Sequence, residues 1–178
     1  TFAMAYDSFG QAAGDTNGTA GDGGVFTTVD DLYKWDRALA GSSLVRASTL
    51  DVGFTPPILP DGPSTYAFAW NVRLDRGLRT LWHTGRTGGY RSYIERRPAE
   101  QQLIVMLTNH GDTKRGDIAR AIVHVLRGEP VTLPGRSIAR RLYDAIKADG
   151  IDRALHLHDS LRAQVAPDYD FSESELNT

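Results

Sequence analysis

The chain has 178 residues, 40% of them hydrophobic and 24% charged, which is typical of one globular domain with a short appendage. Its 20 basic and 22 acidic residues leave a net charge of −2, so the composition indicates neither a nucleic-acid-binding surface nor an acidic tail. The absence of cysteine excludes disulfides, thiolate catalysis and cysteine-ligated zinc. No apolar run approaches the ~18 residues that a membrane-spanning helix needs.

The first third of the chain predicts loops and two helices. Residues 1–24 are rich in Gly, Ala, Asp and Thr, which favours irregular structure. Thr27 and Thr28 then precede two aspartates, a pattern typical of a helix N-terminus. One apolar stripe follows and Gly41 ends it; the stripe consists of Val29, Leu32, Trp35 and Leu39. A second short helix is predicted over residues 42–51, and the prolines between 56 and 63 predict a surface loop.

The middle of the chain predicts a β-meander. Four short strands are predicted, at Tyr66–Leu74, Arg79–His83, Tyr90–Arg97 and Gln102–Asn109. The connections between them are short, and short connections require antiparallel pairing because a parallel neighbour needs a crossover of about a dozen residues. Within the last strand, Leu103–Leu107 is apolar on both faces, so it is expected to be covered on both faces and to have neighbours at both edges. The meander supplies one neighbour.

The remaining residues predict helices. Residues 116–127 place Ile118, Ile122 and Val125 on one face, suited to cover the sheet. After a Pro/Gly hinge, residues 136–148 and 151–165 predict two further helices. The expected fold class is therefore α+β, an antiparallel sheet of about four strands covered by a helix, plus a helical tail. The expected segments are 1–130, divided into loop and helices (1–64) and sheet with covering helix (65–130), and the tail 136–178.

The stretch Trp82–Tyr90 concentrates a histidine, two threonines and three glycines after the second predicted strand. Taken alone, a histidine followed by a glycine-rich turn is most often an ordinary hairpin. The other polar clusters predict no metal site and no cofactor. His156 and His158 would project about 200° apart on a helix, so they cannot share one ion without help. The segment Tyr169–Glu175 is typical of a helix cap with no helix after it.

Several motifs in order resemble the serine β-lactamase-like hydrolases, which include class C β-lactamases, DD-peptidases and related esterases. Gly23–Leu32 is similar to the family's glycine pair and capped Asp-Leu segment. His83-Thr84-Gly85 followed by Gly88-Gly89-Tyr90 resembles its third catalytic motif, Lys/His-Thr/Ser-Gly. Leu103–Asn109 resembles its final sheet strand. The likeness covers roughly residues 3–127, and the tail 136–178 resembles more weakly a helical extension that some members carry.

The resemblance implies a chemistry for these residues. His83, Thr84, Gly85 and Arg86 would be catalytic, with the Arg86 amide in the oxyanion hole, and Gly88, Gly89 and Tyr90 would bind substrate. An imidazole is less suited than lysine to be a permanent cation, so esters or peptides are favoured over penicillin-like acids. The expected partner is a small-molecule ester or amide, with no nucleic acid and no membrane span. Full-length members are often periplasmic or secreted, and this sequence does not indicate the compartment.

Two family motifs are absent from the 178 residues. None of the three lysines, Lys34, Lys114 and Lys147, has a serine three positions earlier, so there is no Ser-x-x-Lys, and no Tyr-x-Asn or Ser-x-Asn occurs. The chain thus resembles the C-terminal part of such an enzyme, both ends have the character of cut ends, and the isolated chain is predicted to be inactive. Leu103–Leu107 would then pair with the missing N-terminal part or with a second copy. The alternative is a non-catalytic binding or assembly module built on the same sheet.

Overall fold

The computed structural model describes residues 2–14, 21, 23–41, 43–133, 136–165 and 169–170. Their contacts divide the chain into two compact units. The first, here called the sheet unit, comprises the described residues of Asn17–Arg86 and Arg91–Thr108. The second, the helical unit, comprises those of Thr1–Thr16, Thr87–Tyr90 and Asn109–Thr178. The division expected between residues 130 and 136 stays a prediction.

A four-stranded antiparallel sheet forms the centre of the sheet unit, which confirms the predicted fold class. Two helices and a two-stranded hairpin precede it: α1 (Val29–Ala40), α2 (Ala47–Gly53), β1 (Ile58–Leu59) and β2 (Gly62–Pro63). The strands are β3 (Asn71–Asp75), β4 (Leu78–Thr87), β5 (Tyr90–Arg97) and β6 (Gln102–Thr108), paired in chain order. A 3₁₀ turn over Pro98–Glu100 joins β5 to β6.

The pairing register is fixed by tight turns. β3 pairs with β4 from Asn71 opposite Trp82 to Asp75 opposite Leu78. Between them Arg76 and Gly77 have φ values of 54° and 78°, and two successive positive φ angles are what a type I′ hairpin turn requires. β5 pairs with β6 over its whole length except for its first residue. Short turns therefore produce the meander that the sequence predicted.

Two strand boundaries were predicted wrongly. β3 begins at Asn71, not at Tyr66, because residues before it close a tight loop in which the Ala67 N–H donates to the Trp70 carbonyl at 2.8 Å. β4 does not end at His83 but continues to Thr87. The strand needs a glycine at position 85, because a Cβ there would lie 2.3 Å from Ser92 Oγ on β5. The motif therefore lies inside a paired strand.

Helix α1 begins where the sequence predicted. The Thr28 hydroxyl accepts from the Asp31 N–H at 3.1 Å, and Gly41 ends the helix; such a cap is worth about 1 kcal/mol. The buried face, however, contains Asp36 and Leu39, whereas Val29 and Trp35 of the predicted stripe are partly or largely exposed. This helix packs against β6.

Asp36 is buried because it has a charged partner. Its Oδ1 accepts from Arg96 Nε at 2.5 Å, and both side chains are less than a tenth exposed. The Arg96 guanidinium also lies over the ring of Phe54, 5.4 Å from its centroid. A buried charge is tolerated only when an opposite charge and hydrogen bonds replace its water. The ion pair thus ties α1 to β5.

A larger charge network occupies the opposite face of β5. Arg97, 1% exposed, donates to Glu100 at 2.6 Å, to Glu95 at 2.7 Å and to Asp75 at 2.7 Å. Burial opposes the charge on Arg97, but the three carboxylates outweigh it and raise the pKa of that guanidinium. Glu95, fully buried, also accepts from Arg73 at 2.8 Å. One strand thereby holds β3 and the 3₁₀ turn in place.

Tyr93 completes this network. Its hydroxyl donates to Glu95 Oε2 at 2.5 Å, and its ring stacks on Trp82 with centroids 6.3 Å apart. Burial, reinforced by the hydrogen bond to the carboxylate, raises the pKa of Tyr93 to about 12. The phenol therefore stays a hydrogen-bond donor over the whole physiological range of pH.

The helical unit contains the predicted C-terminal helices. Its elements after β6 are α3 (Arg115–Leu126), β7 (Arg136–Ser137), α4 (Ala139–Asp149), α5 (Ile151–Val165) and β8 (Tyr169–Asp170). α4 packs on α5, and β7 pairs in parallel with β8. α3 buries Ala119 and Val123, while Val125 of the predicted face is 63% exposed. That α3 covers the sheet stays a prediction, and of the predicted cap at 169–175 only Tyr169–Asp170 lies among the described residues.

No helix in the described part of the chain is long and apolar enough to cross a membrane.

We expect Arg97→Met to destabilise the protein by about 3–5 kcal/mol, because it removes the buried cation that three carboxylates share and leaves the buried Glu95 with Arg73 alone. The measurement is the free energy of unfolding in urea. Arg120→Met is the matched control, since that arginine forms an exposed ion pair with Asp117 and should change stability by less than about 1 kcal/mol. Equal effects of the two substitutions would contradict the structural role given to Arg97.

Candidate functional site

The residues singled out as catalytic lie in the second half of β4. His83, Thr84 and Gly85 are half-buried, and the Arg86 side chain is exposed. Because side chains alternate along a strand, His83 and Gly85 share one face of the sheet, and Thr84 and Arg86 share the other. The strand therefore divides the four residues between two faces.

This half of β4 extends beyond its neighbour on one side. The register with β3 runs from Leu78 to Trp82 and ends there. The five residues from His83 to Thr87 continue past the end of β3. Where a strand is longer than its neighbour, the backbone groups on that edge can hydrogen-bond to a ligand instead of to another strand.

His83 contacts one side chain that the sequence analysis did not single out. The hydroxyl of Tyr66 lies 3.1 Å from His83 Nε2, and the ring centroids are 5.9 Å apart. Tyr66 is 17 positions earlier and was assigned to a strand. The two rings meet only because the loop before β3 folds back towards β4. No motif or regular spacing in the sequence could have predicted this pair.

Gly85 lies directly against β5. A Cβ at this position would stand 2.3 Å from Ser92 Oγ and 3.6 Å from Ser92 Cβ. Real Cβ atoms do not approach oxygen so closely, so any larger residue at 85 requires the serine to turn away. The glycine is therefore explained by packing within the sheet, and the close approach of a substrate to it stays a prediction.

The three residues predicted to bind substrate lie in the helical unit. Gly88 has a φ of 47° and is exposed at the turn after β4. Gly89 is buried, and a Cβ there would lie 2.2 Å from the Tyr6 carbonyl oxygen. The Tyr90 hydroxyl donates to the Ala3 carbonyl at 2.7 Å. These contacts explain why the sequence requires these residues, and their role in substrate binding stays a prediction.

The N-terminal segment is fixed by the same contacts. Tyr6 donates its N–H to the Asn109 carbonyl at 2.8 Å and accepts the Gly111 N–H at 2.8 Å. The Asn109 side chain donates to the Met4 carbonyl at 2.7 Å. The first residues thus run beside Asn109 and Gly111 of the same unit, with the mostly irregular backbone that the composition predicted.

The remaining polar clusters form no recognisable site. Among the described residues no group of three or more His, Asp and Glu side chains could hold a metal ion. The Nδ1 atom of His158 lies 3.0 Å from an Asp159 oxygen, and both side chains lie on a helix surface. A cavity of about 310 Å³ in the helical unit contains none of the motif residues; it is lined by Asp117, Arg120, Ala121, His124, Thr132 and Leu133.

The sheet, the His83–Arg86 segment and α3 were compared with known protein families. Residues 3–127 match the family model described as Beta-lactamase. The chain belongs to the beta-lactamase family. The matched residues include β3–β6, the His83–Arg86 segment and α3, so the sheet and this segment lie within the matched region.

Relatives of the family agree with this assignment. Penicillin-binding protein 4* of Bacillus subtilis (strain 168) is 26% identical over 162 residues, which are 84% of this chain and 34% of that protein. Unguisins hydrolase ungD' of Aspergillus campestris (strain IBT 28561) is 27% identical over 100 residues, 51% of this chain and 18% of that protein. The chain spans about a third, or less, of the length of these relatives.

A solved structure shares the fold. The octameric penicillin-binding protein homologue from Pyrococcus abyssi superposes with a TM-score of 0.62 at 21% identity. The match covers 82% of this chain and 34% of that one. The likeness extends over both units of the chain and supports the common fold.

Proposed function

We propose that this chain forms one wall of the active site of a serine hydrolase that cleaves an ester or amide through an acyl-serine intermediate. His83, Thr84, Gly85 and Arg86 supply the family's third motif and one side of the oxyanion hole. Gly88, Gly89 and Tyr90 border the substrate. The nucleophile belongs to polypeptide outside these 178 residues.

The observation that supports the proposal is a family match that spans the residues resembling the third motif, in a chain without a nucleophile motif. The match extends over residues 3–127, yet no serine precedes any lysine by three positions. The chain corresponds to 34% of the length of the penicillin-binding protein that it resembles. A complete catalytic apparatus therefore requires a segment that supplies Ser-x-x-Lys.

Acyl transfer to a serine requires a hydrogen-bond donor for the developing oxyanion. Attack of a serine on a carbonyl places negative charge on its oxygen, and one preorganised N–H donor is worth about 3–4 kcal/mol in the barrier. The Arg86 amide is proposed as that donor because it follows the motif glycine and lies where β4 continues past β3. Its side chain is exposed and is not needed for this role.

The substrate class follows from His83. An imidazole is neutral over most of the range above its ordinary pKa of ~6.5, whereas a lysine is a permanent cation. A neutral group binds an uncharged ester or amide without the cost of an unpaired charge. The relatives include a protein named as penicillin-binding and one named as a hydrolase of unguisins, and we place this chain with the hydrolases of esters or amides.

The alternative function is a non-catalytic binding or assembly module built on the same sheet. It is favoured by the packing contacts of Gly85, Gly89 and Tyr90, which explain these residues without a substrate. The two functions differ in one requirement, since only the hydrolase needs a reactive serine in the same assembly.

A fluorophosphonate, which phosphonylates activated serines, distinguishes the two. We expect no stoichiometric labelling of the 178-residue chain, and labelling of one serine in a Ser-x-x-Lys motif when the product of the complete open reading frame is treated. Intact-mass and peptide mass spectrometry provide the measurement. Labelling of a serine within residues 1–178 would refute the proposed division of the site, and an open reading frame without Ser-x-x-Lys would favour the non-catalytic module.

The backbone donor can be tested by removing one N–H. In the complete enzyme, Arg86→Pro deletes the proposed oxyanion donor and should lower kcat by about 10²–10³. Arg86→Ala removes the side chain but keeps the N–H, so it should retain most of the activity. Both variants are compared by ester turnover after circular dichroism has shown that they fold. Equal losses in both would mean that the side chain, not the amide, is what the reaction needs.

The sheet also offers a surface for assembly. β6 is the last strand in the sheet order, and its Leu103–Leu107 segment is apolar. In the described structure this segment is mostly half-buried, and Leu107 is 40% exposed, although the sequence predicted cover on both faces. The outer strand of a sheet is a template for another strand. We propose that its partner is the part of the protein that supplies the nucleophile or a second copy of this chain.

We expect the 178-residue chain to self-associate or to co-purify with a second polypeptide, measured by light scattering and mass spectrometry. Leu107→Lys places a charge on the edge strand and should abolish this association. Leu126→Lys, at a comparably exposed leucine of α3, is the matched control and should not. A strictly monomeric chain that also fails to bind the remaining part of the protein would rule out the role of β6.

A further inference from the structure

Tyr66 contacts His83 in a way that constrains the imidazole ring. It is a direct side-chain contact on the motif histidine, with Tyr66 Oη 3.1 Å from Nε2. Within the described residues the phenol is the one side chain that hydrogen-bonds to this ring. One ring nitrogen of His83 is thus occupied by the protein, and Nδ1 remains for another partner.

The loop that presents Tyr66 is held by several independent contacts. The Tyr66 N–H donates to Ser64 Oγ at 2.9 Å, and that hydroxyl donates to the Tyr66 carbonyl at 3.0 Å. The Val72 N–H donates to the Thr65 carbonyl at 2.7 Å, and the Phe68 N–H to the Gly53 carbonyl at 3.0 Å. Backbone bonds on both sides of the tyrosine fix its position before any ligand arrives.

Strain and aromatic packing support the same conclusion. Ala69 has a φ of 64°, a conformation that is unfavourable for a residue with a side chain and persists only where its surroundings impose it. The next residue, Trp70, is buried, stacks on Trp35 with centroids 6.2 Å apart and meets Phe54 edge-on at 6.2 Å. The loop is therefore anchored at its far end by α1 and by the residue that follows α2.

The chemistry of the two groups decides the direction of the hydrogen bond. A phenol is a stronger acid than the N–H of a neutral imidazole, and an unprotonated imidazole nitrogen is a stronger base than a phenol oxygen. On this ground we assign the O–H of Tyr66 as the donor and Nε2 as the acceptor. An imidazole whose Nε2 accepts carries its proton on Nδ1, because the bond made by one ring nitrogen sets the state of the other.

We propose that Tyr66 is a positioning residue that holds neutral His83 in the Nδ1–H tautomer, so that Nδ1–H is a donor for an uncharged acceptor such as an ester or amide carbonyl oxygen. The tautomer rests on the contact and on the relative acid and base strengths of the two groups. The identity of the acceptor rests on the proposed function. In this arrangement His83 binds by donating a hydrogen bond, and it does so without the charge that a lysine would bring.

Nitrogen NMR tests the tautomer without any substrate. In ¹⁵N-labelled protein about two pH units above the ordinary histidine pKa of ~6.5, two-bond proton–nitrogen correlations distinguish the tautomers. We expect Nδ1 of His83 to be protonated in the wild type and the proton to move largely to Nε2 in Tyr66→Phe. Tyr33→Phe, on exposed α1 surface, is the matched control and should leave the His83 signals unchanged.

Two outcomes of the NMR measurement would contradict the proposed tautomer. A wild-type His83 with its proton on Nε2 overturns the proposal, and this measurement needs no variant to fold. A tautomer that is the same in the wild type and in Tyr66→Phe also overturns it, because the phenol would then not be its cause. Neither result depends on whether the protein is a hydrolase.

Kinetics test the second half of the proposal in the complete enzyme. Loss of one orienting hydrogen bond in Tyr66→Phe should lower kcat/KM for a neutral ester about 2–10-fold, with Tyr33→Phe unaffected. A shift of the tautomer with unchanged kinetics would remove His83 from substrate recognition and leave its positioning by Tyr66 intact. An enzyme without hydrolase activity in the wild type would contradict the proposed function and not the tautomer.

Discussion

Strand β5 carries charged side chains into the interior on both of its faces, and the sheet unit is arranged around the need to neutralise them. On one face Arg97 and Glu95 are almost fully buried and satisfy each other and their neighbours. On the other face Arg96 meets Asp36 of α1. An unpaired charge in such a place would cost several kcal/mol. The positions of β3, the 3₁₀ turn and α1 are therefore tied to β5 by electrostatics, and not by apolar packing alone.

The same constraint extends to the candidate site through continuous contacts. Arg96 lies over Phe54, and Phe54 meets Trp70, which stacks on Trp35 of α1. Trp70 ends the loop that brings Tyr66 to His83. Each aromatic contact is worth about 0.5–1.5 kcal/mol beyond its buried area. The contact of Tyr66 with His83 is thus made by a loop whose position depends on packing against α1 and against Phe54, and support of this kind is what holds a functional side chain in one geometry.

Membership of the beta-lactamase family relates the edges of the sheet to the part of the family fold that lies outside the matched residues. The chain shares a fold with penicillin-binding protein homologues while spanning about a third of their length. Two of its strands lie at an edge of the described sheet over part or all of their length: β4 continues past the end of its pairing with β3, and β6 is the outermost strand. Backbone groups at such edges are satisfied by water, by substrate or by another strand. The proposed active site and the proposed assembly surface both lie at such an edge.

The sequence by itself determined the elements whose signals are local. Thr28 as a helix cap, the Arg76-Gly77 turn and the boundaries of β5 follow from residue types within a few positions of one another. The order of motifs also sufficed to indicate the family. Short-range hydrogen bonds and backbone preferences govern these features, so they can be predicted from neighbouring residues.

Only the tertiary structure decided the features that join distant residues. The burial of Asp36 could not be predicted from α1, because its partner is 60 positions away on β5. The extension of β4 through the motif depends on the strand beside it, and the packing of Gly89 on Tyr6 depends on the chain's own beginning. The pairing of Tyr66 with His83 depends on a loop closed by aromatic contacts. A side chain's partners are set by three-dimensional distance, and the linear sequence states only which groups are available to meet.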